Sequence, residues 1–448
     1  MRTVLLGFAL FGVFWGAWGA ALPAVQERAQ VGDAAFGGAL LLIGAGALAS
    51  MRVTGLLLDR LGPWVAPVVV GCFGVCAAVT GFASSAVALA VALFLLGALS
   101  GAFDVVINTA AVRYEAVRGR PLMGGAHAAF SAAVVAASAL TGLARGFGAG
   151  TPAIFAAVGV VICLAALPAR ALAAGAAGRV SGRASGRGGE QGSRAAWARW
   201  WPLLVFGGMC ALANLVENAQ QSWSARQLEV TLHSPPQVSG LGPSVFALAT
   251  VSARLASQFL AGRGISPRAT LVTGALLAAA GTAITALASG PVICLAGVAI
   301  AGLGTGVCAP TIIGVAGSGV PAAQRGATVS TVMTIAYLGF AAGPALVGLI
   351  AARLGLREAL TAMAGAATLL AIAATAMPTR PRPTPQDPAH SSEPTQTHDP
   401  AIHEPAQTHD PAWSHEAART FERSEISETT QIHGRGEGCE GACACCPD

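Results

Sequence analysis

Twelve runs of apolar residues fill the chain from its first residues to about residue 377. They fall near 3–25, 35–56, 64–84, 86–110, 122–145, 151–173, 200–223, 238–261, 268–289, 291–315, 326–352 and 355–377. Each is close to the roughly 20 positions that a helix needs to cross a bilayer core. The pattern predicts an all-α membrane protein of twelve transmembrane helices. Pro67, Pro310 and Pro344 fall inside these runs, where packed neighbours make a kink tolerable. The longest interior break, 174–199, is rich in Gly, Ser and Arg and carries no apolar period, so it reads as a flexible linker. Residues 378–448 are rich in Pro, His, Thr and acids, and QTHDPA occurs at 396–401 and again at 407–412. That composition predicts a disordered tail. The expected organisation is therefore a six-helix bundle over 1–173, a linker over 174–199, a second six-helix bundle over 200–377, and a tail over 378–448.

Composition removes the soluble alternatives that 448 residues would otherwise allow: 54% are hydrophobic and only 10% charged. The chain has no lysine, so all 26 of its basic residues are arginine. With the N-terminus inside, the inner loops collect 17 arginines and the outer ones only Arg28, Arg145, Arg226, Arg353 and Arg357. This bias places both termini in the cytoplasm, in a cell inner (plasma) membrane. The basic charge thus speaks to topology, and no nucleic-acid partner is expected. The first run suits a spanning helix better than the shorter apolar core of a cleaved signal. Cys72, Cys76, Cys163, Cys210, Cys294 and Cys308 sit inside apolar runs and read as small buried residues.

Against this background, polar residues inside the membrane carry the information. Gly97, Gly101, Asp104 and Asn108 are spaced 4, 3 and 4 in the fourth run, on one helix face. Glycines there let another helix approach closely. A carboxylate at membrane depth costs about 2.5–3.5 kcal/mol on insertion scales, so it faces protein and is often functional. Asp104 is either a solute- or proton-handling group or a structural partner for Arg60 or Arg113. The chain leaves the bilayer through Arg113, Glu115, Arg118 and Arg120, re-enters at Pro121, and carries His127 and Ser131 inward. His127 suits proton hand-off or simple packing.

The seventh run holds the second cluster. Asn214, Glu217, Asn218 and Gln221 share a face, flanked by Gln220 and Trp223. Amides with one acid can hydrogen-bond a polyhydroxylated or amine solute, and Trp223 can stack on an apolar ring face. The alternatives are interhelical glue for the amides and an interfacial belt position for the tryptophan. Glu217 is expected nearer the outside and Asp104 nearer the inside. Arg254, within the eighth run, snorkels or pairs with an acid. The terminal Cys439, Cys443, Cys445 and Cys446 could take a soft ion, but their spacing is not that of a structural zinc site. No resident metal or cofactor is expected. Neither a phosphate-cradling loop nor a catalytic triad is present, and nothing points to an enzyme.

Six plus six helices, a basic linker, and G-x-x-x-D-R-x-G after the second run together resemble the major facilitator superfamily. The motif is carried by Gly55, Asp59, Arg60 and Gly62. The resemblance implies two bundles and a conformational latch at that loop, so these four residues are expected to gate. A positive loop recurs in the second half at 254–267, as parallel repeats require. At a finer level DVVIN (104–108), GRPLM (119–123), HAAFS (127–131), LVENAQQSW (215–223) and YLGFAAGP (337–344) resemble the YbjJ-like branch. The acid-x-x-x-Asn spacing is similar to that of the fucose–galactose–proton symporter group, which implies a proton or sugar-hydroxyl site at Asp104 with Asn108 beside it.

The expected function is secondary transport of a small polar solute, sugar-like and proton-coupled, by a monomer in the lipid bilayer. Its solute- and proton-binding residues are Asp104, Asn108, His127, Asn214, Glu217, Asn218, Gln221 and Trp223. One rival keeps the fold and exports drugs or thiophilic metalloids through the Cys-rich tail. The other is a non-transporting sensor or scaffold whose tail docks a partner.

Overall fold

The computed structural model describes residues 1–119, 122–166, 193–261, 265–320 and 322–377. Twelve helices of 16 residues or more account for nearly all of them. They are α1 (Arg2–Ala29), α2 (Asp33–Leu61), α3 (Val65–Thr80), α4 (Ala86–Arg118), α5 (Met123–Gly146) and α6 (Thr151–Ala166). After the central break come α7 (Ser193–Arg226), α8 (Leu241–Ala261), α9 (Pro267–Leu287), α10 (Pro291–Ser318), α11 (Ala322–Leu354) and α12 (Leu356–Thr375). Ten helices are long and apolar enough to span a membrane among the described residues, while α3 and α6 are apolar but shorter. At 16 residues each rises about 24 Å, just under the hydrocarbon thickness. The expected linker 174–199 lies outside the described residues up to Ser193, and the tail 378–448 lies outside them entirely.

Local signals set the helix ends. Ser85 Oγ accepts from the Ala88 N–H at the start of α4, and Ser266 Oγ does the same for Ala269 ahead of Pro267 in α9. The fourth apolar run ends near 110, yet α4 continues to Arg118. Residues 111–118 contain no helix breaker, and the helix stops only at Gly119, whose φ of 62° is left-handed. Glu115 then reaches over the turn: its Oε1 accepts from the backbone N–H of Leu122 (2.6 Å) and Met123 (2.8 Å). A carboxylate thereby caps the start of α5.

Helix pairing repeats with an offset of six. Helices α1 and α5 pack together, as do α7 and α11; α2 with α4 is matched by α8 with α10, and α3 with α6 by α9 with α12. Two six-helix bundles of one design follow from that repetition. Small residues make the contacts close, since lipid offers no hydrophobic drive between helices. A Cβ on Gly97 would lie 2.1 Å from the Ile43 carbonyl oxygen, and one on Gly339 would lie 2.0 Å from that of Ala211. The first bundle is filled by aromatics, with Phe11 touching Phe73, Phe103 and Phe130, and Phe14 against Trp18.

Candidate functional site

The bundles meet chiefly through α2 with α11 and α5 with α8, a swapped pair under the same repeat. These contacts gather at the end of the molecule that bears the α1–α2 and α7–α8 turns. Gly37 of α2 lies against Pro344 and Gly348 of α11. Ser138 Oγ of α5 donates to the Gly240 carbonyl (2.7 Å), and Ser244 Oγ of α8 donates to that of Val135 (3.0 Å).

Two ion pairs lock the same end. Helix α7 runs on into a π-helical turn, Gln227–Thr231, a backbone form common at functional positions. Arg145 of α5 grips Glu229 of that turn with both terminal nitrogens, at 2.9 and 2.6 Å, and also donates to the Ala20 carbonyl. Ser239 Oγ donates to the same carboxylate at 2.6 Å. Arg226, at the end of α7, meets Asp33, the first residue of α2, at 2.6 Å. The polarity is crossed: each bundle gives one arginine and one acid. Phe36 and Trp223, from opposite bundles, meet edge to face at 6.1 Å. The Ser138–Gly240 and Ser244–Val135 hydrogen bonds and both of these inter-bundle ion pairs lie at this closed end.

Away from it, the helix midsections of both bundles carry polar residues. Asp104 is half-buried on α4, and Asn108 Nδ2 donates to both its carboxylate and its carbonyl at 2.9 Å. On α5 the His127 ring stands edge-on to Phe8 at 5.2 Å and is itself exposed. In the second bundle Arg254 Nη2 of α8 meets Glu217 Oε1 of α7 at 3.1 Å, and Arg254 Nε donates to the Gly306 carbonyl of α10. The arginine side chain keeps 40% of its surface accessible. Charged groups at mid-helix are costly to turn toward lipid, so Asp104 and the Glu217–Arg254 pair are expected to face protein or water.

The remaining sequence candidates divide. Asn214 and Asn218 both turn to α11, where their amide nitrogens donate to the carbonyls of Ala336 and Phe340. Asn218 Oδ1 also accepts from Ser222. Gln221 is half-buried, whereas its neighbour Gln220 is fully buried and donates to Thr282 of α9 at 3.1 Å. Trp223 is 0% exposed, so neither its ring face nor an interfacial belt position is available in this conformation. Of the expected gating residues, Gly55 has open space where a Cβ would stand and Gly62 takes a left-handed φ of 60° at the end of α2. Arg60 is exposed, and the side chain of Asp59 lies outside the described residues. The closed-end pairs were not anticipated. Their one trace in the sequence is that Arg145 and Arg226 stand on the arginine-poor face.

Among the described residues no three His, Cys, Asp or Glu side chains come close enough to hold a metal ion. The terminal cysteines lie outside those residues.

Residues 222–421 match the family model described as Major Facilitator Superfamily. An uncharacterized MFS-type transporter of Yersinia pestis is 29% identical over 351 residues, which cover 77% of this chain and 87% of the relative. Among solved structures, the nucleoside transporter NupG aligns with a TM-score of 0.68 at 14% identity, over 84% of this chain and 98% of its own. A D-xylose-proton symporter aligns at 0.64 and 12%, over 83% and 96%. At those identities the likeness speaks for the fold. Helix pairing, apolar spans and these relatives converge: the chain is a multi-pass membrane transporter with the major facilitator fold.

Proposed function

We propose that the chain is a secondary transporter of a small polyhydroxylated solute, driven by protons and working by alternating access of two bundles, 1–173 and 200–377. The observation that carries this is the pair of mid-helix polar clusters, Asp104 with Asn108 on α4 and Glu217 with Arg254 on α7 and α8, one in each bundle. A carboxylate at that depth is retained against a cost of about 2.5–3.5 kcal/mol. Asn108 holds the Asp104 carboxylate by its amide, and Arg254 holds Glu217. Protonation of Glu217 would release Arg254, so a proton and a solute hydroxyl compete for the same groups. His127, on α5 of the first bundle, is the candidate proton relay in this reading. Asn214, Asn218 and Gln221 support the α7–α11 wall, and Trp223 joins solute handling only when the closed end parts.

The arginine bias makes the closed end external, with both termini in the cytoplasm of the cell membrane. The described conformation is then inward-facing, and the Gly55, Asp59, Arg60 and Gly62 turn at the other end is the latch that forms when it closes. Solved transporters of this fold named for nucleosides and D-xylose favour a ribose- or pyranose-sized cargo, and the sequence motifs favour the YbjJ-like branch. The test is uptake of labelled uridine, D-xylose and L-fucose into proteoliposomes, with and without an inwardly directed proton gradient (acid outside). Gradient-dependent accumulation of at least one, lost in Asp104→Asn, is expected. Accumulation indifferent to the gradient and to that substitution would remove proton coupling.

A further inference from the structure

The closed end holds a cavity that the transport cycle does not use. It has a volume of about 580 Å³ and lies between the α1–α2 turn of one bundle and the π-helical turn of the other. Three carboxylates line it, Glu27, Asp33 and Glu229, against a single guanidinium, Arg226. Asp33 and Glu229 are each engaged by an arginine. Glu27 is exposed and forms no ion pair among the described residues.

A second feature shows that the cavity is incomplete as it stands. Gln26 lines it and is 4% exposed. Its amide nitrogen is committed to the Val31 carbonyl (3.2 Å) and to Asp33 Oδ1 (2.7 Å), which leaves Oε1 buried with no partner. Arg226 Nε, on the facing wall, is likewise buried and unpartnered. An orphaned buried acceptor costs about 1–3 kcal/mol, so such atoms mark the place of a bound molecule or ordered water. Here the requirement is specific. A donor, preferably cationic, must meet Gln26 Oε1 and Glu27, and an acceptor oxygen must meet Arg226 Nε.

We propose that this cavity binds a small hydroxylated ammonium compound from outside, and that its occupation holds the outer gate shut. Both bundles contribute walls, so the ligand fits only while the gate is closed and shifts the population toward that state by its differential affinity. The inference rests on reading the closed end as the external gate of an alternating-access transporter, but not on any solute or coupling ion.

The test uses the full chain in right-side-out proteoliposomes. The probe is diethanolamine, and diethylene glycol serves as its neutral counterpart of the same skeleton at matched ionic strength. Ser138→Cys reports opening, because Ser138 is fully buried in the bundle seam and lies outside the cavity lining. Labelling by an impermeant maleimide is read above the background of the unsubstituted chain. Diethanolamine is expected to raise the melting temperature and to slow labelling about tenfold at saturation, while the glycol does neither. Glu27→Gln, an exposed substitution with no packing cost, should raise the half-saturating concentration at least about tenfold. Equal responses to amine and glycol, or an unaltered response in Glu27→Gln, would overturn the assignment. Neither readout requires solute flux. If the amine has no effect while Asp104→Asn still abolishes uptake, only the cavity assignment is lost.

Discussion

Glu229→Gln should open the closed end, and the structure sets how far. The substitution keeps size and shape but removes the charge from a carboxylate that takes both Arg145 nitrogens and the Ser239 hydroxyl. The arginine side chain is 7% exposed and the glutamate 19%, so this is a mostly buried pair rather than a surface one. Breaking such a pair from one side costs about 3–5 kcal/mol. The remaining contact of Glu229 with water, and the carbonyl that Arg145 keeps at Ala20, reduce this to about 2–4 kcal/mol. In the open state both groups are solvated and little changes, so nearly all of the loss falls on the closed state. At about 1.4 kcal/mol per tenfold, the ratio of open to closed molecules rises roughly 30- to 1,000-fold. Impermeant-maleimide labelling of Ser138→Cys reads the opening directly, and its rate should climb by that factor until the open form predominates. Reversing the pair, with Arg145→Glu added to Glu229→Arg, should draw the rate back toward the parent. An unaltered labelling rate in Glu229→Gln would refute the view that this pair closes the gate.

Further outcomes follow from the same geometry. Arg254→Ala should abolish solute uptake while shifting stability by no more than about 1 kcal/mol, because its pair with Glu217 is substantially wet; melting and uptake measured on one preparation check this. Gly97→Leu drives a side chain into the Ile43 backbone of α2 and should cost several kcal/mol by overpacking, read as loss of monodisperse protein on size exclusion. Asn108→Ala frees the Asp104 carboxylate from its amide donor and should displace the pH profile of uptake, whereas Asn214→Ala, which loses only a bond to an α11 carbonyl, should leave the profile in place.

Much of the architecture is legible in the sequence because lipid imposes one simple rule. Apolar runs of bilayer length become helices, and a lone acid inside them must turn inward. Asp104, Asn108 and Glu217 stand out for that reason. What the sequence withholds is partnership across the fold. Glu229 is 84 residues from Arg145, and Glu217 is 37 from Arg254; one-dimensional spacing carries no trace of either pair. Helical arithmetic sets Asn214, Glu217, Asn218 and Gln221 on one face, yet that face is divided between two neighbours, with the asparagines on α11 and the glutamate on α8. Trp223 shows the same limit. A tryptophan near a helix end suggests a ring platform or a lipid belt, and only the packing of the two bundles turns it into a plug against Phe36.

Reciprocal motion of the two ends is what alternating access demands, and paired spin labels measure it most directly. One pair joins Phe147 to Thr231 at the closed end, and the other joins Val117 to Leu255 at the opposite end; all four are exposed positions. When a solute from the uptake panel is added, a longer distance should appear in the first pair as a shorter one appears in the second. Two distances that stay fixed, or that lengthen together, would contradict the proposed transport by two rocking bundles.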